Sequence, residues 1–165
     1  MPYERGLAER ALHAYIRDMF ADLLRRMTAP APAPLSDPDA RLALAALLVR
    51  VARSDGYYAD CEADEISKFL ANRYGLTQVS ADTLRHDAET LESEAPDTVR
   101  FTRAIKDAVA HEARFEVLEA LWGVALADGE RDVEEDSQLR LVSNLLGMTD
   151  QQSAQARQRA KKDKA

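Results

Sequence analysis

The sequence predicts an all-α protein, a pseudo-duplicated helical bundle carrying an additional amphipathic helix at its N-terminus. Three observations lead there. Apolar residues fill 46% of the 165 positions and are mostly Ala and Leu, strong helix formers, whereas only six residues are glycine. Apolar positions recur at three- and four-residue intervals in one segment after another. Alternating β-branched residues, the signature of a strand, are nowhere sustained.

Taken in order, the first element is an amphipathic helix within residues 1–27, whose stripe is Leu12, Tyr15, Ile16, Met19, Phe20, Leu23, Leu24 and Met27. That stripe needs a cover. Packing in cis and self-association are the favoured readings, and Arg17, Arg25 and Arg26 leave contact with a membrane surface as the weaker one. Residues 28–38 include Ala-Pro-Ala-Pro-Ala-Pro, whose prolines lack amide donors and favour extended geometry, so the helix stops and a semi-rigid linker follows. Residues 39–160 form the helical domain, and 161–165 a basic tail.

Within the domain, Ser36 or Asp37 is placed to cap a helix carrying Leu42, Leu44, Ala45, Leu47, Leu48 and Val51, apolar on several sides and therefore central. Further helices are expected at about 61–74, 80–93, 97–109, 112–127, 134–146 and 150–160. Gly75 and Gly147 follow apolar helical runs as C-terminal stops, Pro96 and Asp97 mark a break, and Thr149 with Gln152 reads as a capping box. Phe115, Leu118, Leu121 and Trp122 form an expected core face.

A duplication emerges when Val51-Ala-Arg-Ser-Asp-Gly56 is laid over Val124-Ala-Leu-Ala-Asp-Gly129, an offset of 73 residues. Glu62 then matches Glu135, Ile66 matches Leu139, and after a one-residue slip Gly75-Leu-Thr77 matches Gly147-Met-Thr149. Each copy reads as buried helix, Asp-Gly break, acidic start, amphipathic helix and glycine stop.

The same residues carry a family resemblance. The pattern Ala-x-x-Asp-Gly-x-x-Asp-x-x-Glu is complete from Ala125 to Glu135 and lacks only its middle Asp from Ala52 to Glu62. With the run Glu119-Ala-Leu-Trp-Gly-Val-Ala-Leu-Ala-Asp-Gly129, it resembles the TerB-like tellurite-resistance proteins over about residues 40–160. The resemblance implies about seven core helices related by an internal pseudo-twofold, acidic clusters proposed to bind divalent cations, and links to stress, tellurite-resistance and membrane-associated systems. It brings no enzymatic activity.

The acidic residues have two readings. Carboxylates gathered at a tight turn are what Ca²⁺ or Mg²⁺ requires, because a hard cation takes oxygen ligands and offsets their repulsion. Asp128, Asp132 and Glu135 are the better set. Asp55 and Glu62 are the poorer one, since Ala59 stands where the second copy has Asp132. The other reading is capping without metal: Asp132 and Glu135 have the spacing of an N-terminal capping pair, and carboxylates are favoured at a helix N-terminus.

Other chemistries lack a signature. The lone Cys61 excludes an intramolecular disulfide and fits a reducing, cytoplasmic compartment. His13, His86 and His111 have no metal-ligand spacing, no glycine-rich phosphate loop follows a strand, and no catalytic residue can be singled out. No stretch approaches the roughly 20 apolar residues of a spanning helix, and no signal-peptide core is evident. A net charge of −7 argues against nucleic acid. Arg157, Arg159, Lys161, Lys162 and Lys164 form a basic end that reads as solvated, or else as a contact for an anionic partner. Arg100 and Arg103 are candidates to pair with the acidic junctions or to recruit an anionic partner. The sequence thus suggests a non-catalytic module acting through a protein partner, binding a divalent cation or serving as a purely structural interaction domain.

Overall fold

The computed structural model describes residues 10, 14, 18–25, 37–54, 56–94, 102–103, 105–107, 109–127 and 133–163. The chain divides into two compact units, Met1–Ala33 and Pro34–Ala165, and the division falls inside the Pro/Ala-rich segment. In the first unit residues 18–25 are helical, and Arg25 pairs with Asp22 one turn earlier. Residues 28–36 of the linker and half of the N-terminal apolar stripe, Leu12, Tyr15, Ile16 and Met27, lie outside the described residues, whereas residues 37 and 38 already belong to the first helix of the second unit.

Every regular element described in the second unit is helical: α1 (Asp37–Ala52), α2 (Asp60–Tyr74), α3 (Gln78–Glu94), a 3₁₀ turn (His111–Ala113), α4 (Arg114–Ala125), α5 (Val133–Leu145) and α6 (Asp150–Asp163). Residues 102, 103 and 105–107 are also helical, within the helix expected at 97–109. No described helix is long and apolar enough to cross a membrane.

α1 and α4 are the central helices because their sequences leave no polar face over most of their length. Leu42 to Val49 of α1 are all buried, as are Val117, Leu118 and residues 121–125 of α4. The two pack on each other, α3 lies chiefly against α1, and α6 lies chiefly against α4. Burying a leucine such as Leu47 contributes roughly 2 kcal/mol. Truncating it to Ala would cost about 2–5 kcal/mol, because neighbours on all sides cannot collapse into the space.

The outer helices are amphipathic. α2 buries Glu62, Ala63, Ile66, Ser67 and Leu70, one stripe at helical spacing. α6 buries only Ser153, Ala156 and Ala160, small residues that let it lie close to α4. α6 runs to Asp163, three residues into the segment read as a basic tail. Its first-turn Asp150 and last-turn Lys161 and Lys162 suit the helix dipole at each end.

The two glycine stops and the capping box are present, and the break expected at Pro96 and Asp97 lies outside the described residues. Gly75 (φ 63°) ends α2 in the left-handed region, with Leu76 N–H returning to Ala71 O at 3.0 Å. Gly147 (φ 76°) follows α5 in the same manner, with Met148 N–H bonded to Ser143 O at 3.0 Å. The capping box at α6 is complete: Thr149 N–H donates to Gln152 Oε1 at 2.9 Å, and Gln152 N–H to Thr149 Oγ1 at 3.1 Å. Arg114 adds a fastening of a different kind. Its guanidinium donates to Lys106 O at 3.1 Å, Val109 O at 3.3 Å and Leu146 O at 3.4 Å, joining α4 to the preceding segment and to the end of α5.

Candidate functional site

The first Asp-Gly junction grows out of the C-terminus of α1. Ser54 N–H and its hydroxyl both donate to Val51 O, at 3.2 and 2.7 Å, and Gly56 (φ 80°) donates its N–H to Arg53 O at 3.0 Å. Asp55 itself lies outside the described residues. A positive φ at the second member of the pair is the physical reason for glycine there, since a Cβ would strain the backbone.

Polar contacts tie this junction to α3. Tyr58 donates its hydroxyl to Glu89 Oε1 at 2.9 Å, and Arg85 Nη1 donates to the same oxygen at 2.6 Å while its Nε reaches Ser67 Oγ at 2.8 Å. Arg53 donates to Glu92 Oε2 at 2.8 Å and to Glu89 O at 3.2 Å, and its guanidinium lies 5.1 Å from the Tyr58 ring centroid. Arg50 also meets Glu92, with Nε 3.4 Å from Oε1. Burial, followed by the hydrogen bond and charge of Glu89, pushes the Tyr58 hydroxyl well above the ordinary tyrosine range.

At the start of α2, Ala59 is extended and offers no side-chain cap. Glu62 supplies the missing partner. Its Oε2 accepts the Ala59 N–H at 2.9 Å, and the residue is 1% exposed. This is the acidic half of a capping box operating without its hydroxyl half. The neighbouring Asp60 and Asp64 are exposed.

The second junction leaves α4 through Leu126 N–H to Trp122 O at 2.9 Å and Ala127 N–H to Val124 O at 3.1 Å. Asp128 and Asp132 lie outside the described residues, as does the Glu135 side chain. The backbone of Glu135 is the third residue of α5, the position Glu62 holds in α2. Among the described residues, no group of three or more His, Cys, Asp or Glu is placed to hold a metal ion. Arg103 is exposed, and Arg100 falls outside the description.

Sequence reasoning missed the Arg50–Arg53–Tyr58–Glu89–Glu92 network. It had a usable signal, because arginines three apart on and just beyond α1 match glutamates three apart on α3.

The described architecture is therefore that of an all-helical module with two central helices, α1 and α4, each followed in the chain by an amphipathic helix, α2 and α5. The sequence matches the family described as "Tellurite resistance protein TerB" over residues 41–158, most of the chain and both junctions. The chain belongs to the TerB family. Comparisons with curated proteins and with solved structures give no match.

Proposed function

We propose that the chain is a non-catalytic module of a cytoplasmic stress or tellurite-resistance system, and that its second Asp-Gly junction binds a divalent cation, Ca²⁺ or Mg²⁺. The observation that carries this reading is the inequality of the junctions. At the first, Glu62 Oε2 is turned to the Ala59 amide and the turn is fastened to α3 by Tyr58 and Arg53, so Glu62 already serves as a cap. At the second, Asp132 replaces Ala59, and six of the nine residues from Asp128 to Asp136 are acidic. Such a concentration of like charge is relieved by a hard cation with oxygen ligands.

The two halves, from α1 to α3 and from α4 to α6, are the two copies of the repeat in this reading. A cation at Asp128, Asp132 and Glu135 would set the angle between α4 and α5 and hence the surface shown to a protein partner, including one in a membrane-associated complex. Self-association through the N-terminal helix belongs to the same proposal. A purely structural interaction domain is the alternative, favoured by the Glu62 cap and by Glu135 standing at the equivalent position of α5.

Thermal melting of metal-stripped protein separates the two. The cation reading expects the melting temperature to rise in millimolar Ca²⁺ or Mg²⁺ and the rise to vanish in Asp128→Ala and Glu135→Ala. Identical curves with and without cation would leave the structural alternative.

A further inference from the structure

We propose that the cavity between α4, α5 and α6 is a binding pocket for a phosphate group, a site that borders the second acidic junction at Asp136 and does not use its cation. The cavity has a volume of about 390 Å³, the size of a small-molecule site. Three cationic side chains from two helices line it: Arg140 of α5, and Arg157 and Lys161 one turn apart on α6. Among the described residues no carboxylate forms an ion pair with any of the three.

Arg157 is held ready. Its guanidinium lies 5.2 Å from the Trp122 ring centroid, and its Nε is buried with no hydrogen-bond acceptor. A buried donor of a charged group left without an acceptor is unfavourable, and an anionic oxygen would supply the missing acceptor. Trp122 is itself anchored, since its Nε1–H donates to Ser153 Oγ at 3.1 Å. That bond uses a lone pair of Ser153 and leaves the hydroxyl hydrogen available to a ligand.

Two carboxylates also line the cavity, Asp136 and Asp150, and leave its five charged groups with one net positive charge. Asp136 already has an interaction within the protein, and Asp150 sits in the first turn of α6, where the helix dipole favours its charge. Three cations remain against these two, with guanidinium forks that match the oxygens of a phosphate. The basic run at the chain's end is thus divided by the helix: Arg157 and Lys161 line the cavity, whereas Arg159 lies over the Phe115 ring at 4.9 Å.

Trp122 is the only tryptophan of the chain and reports on the pocket directly. The full chain is titrated with inorganic phosphate, and separately with phenyl phosphate, against sodium chloride of equal ionic strength, following the indole N–H resonance. The expected result is a saturable shift with at least one phosphate probe and none with chloride, with affinity at least tenfold weaker in Arg157→Gln and in Arg140→Gln. Saturation by inorganic phosphate assigns a free ion, and saturation by phenyl phosphate alone assigns a phosphate borne on a larger molecule. Because Arg157→Gln also removes the indole contact, Arg140→Gln, which leaves Trp122 and Ser153 untouched, decides the matter. No saturation with either probe, an equal response to chloride, or unchanged affinity in Arg140→Gln would overturn the proposal.

Discussion

Removing the Glu62 carboxylate tests whether the first junction is a helix cap or half of a cation site. In Glu62→Ala the Ala59 amide loses its acceptor, and Ala59 has no side chain to take over. A lost cap costs about 0.5–2 kcal/mol, and an amide left unsatisfied in a half-buried turn about 1–3 kcal/mol, two descriptions of the same event. The expected loss is therefore about 2 kcal/mol, or roughly 4–8 °C in Tm for a domain of this size. Glutamine at the same position keeps a carbonyl oxygen for the amide and serves in capping boxes, so Glu62→Gln should lose less than about 1 kcal/mol. Both variants should keep the cation response of the wild type. The assay is thermal and urea denaturation with and without Ca²⁺. Wild-type stability in Glu62→Ala, or a cation response abolished in both variants, would refute the cap argument and restore Glu62 as a ligand.

Three other outcomes follow from the geometry. Glu89→Ala strips the acceptor shared by Tyr58 and Arg85 and leaves a half-buried guanidinium, so urea denaturation should show a loss of about 3 kcal/mol, against about 1 kcal/mol for Tyr58→Phe. Glu119 has its pKa raised, first by burial and then by the hydrogen bond and charge of Asp163. The folded state therefore holds this proton more tightly than the unfolded state, and stability from it is present at acid pH and lost as pH rises through the raised value. Glu119→Gln should accordingly raise the melting temperature at pH 7 and bring no gain below the ordinary glutamate range; a gain that grows on acidification would contradict this. Gly75→Ala and Gly147→Ala should each cost about 1–2 kcal/mol by denaturation, because both positions have positive φ and neither added Cβ meets an atom closer than 3.8 Å.

Much of the fold was legible because it rests on local chemistry. The all-round apolar sequences of α1 and α4 have one stable location, the centre of the bundle, and both are found there. Gly75, Gly147 and the Thr149–Gln152 box act within one turn of their own position, so spacing alone revealed them. The contrast of Ala59 with Asp132 pointed to a cap at the first junction, and Glu62 supplies it. What escaped notice depends on distance along the chain. Arg53 meets Glu92 across 39 residues and Tyr58 meets Glu89 across 31, and charged residues are too common for such pairs to stand out. The Arg114 fastening left no trace either, because its acceptors are backbone carbonyls that every residue possesses. The helix expected at about 112–127 is α4, and the 3₁₀ turn at His111–Ala113 that overlaps its expected start is a hydrogen-bonding detail below the resolution of hydrophobic periodicity.

The most direct test of the unequal junctions is calorimetric titration of Ca²⁺ and Mg²⁺ into the metal-stripped full chain, alongside Asp128→Ala and Glu62→Gln. The account predicts one binding event in the wild type, retained in Glu62→Gln and absent from Asp128→Ala. Absence of binding in the wild type, or its loss in Glu62→Gln with retention in Asp128→Ala, would contradict it.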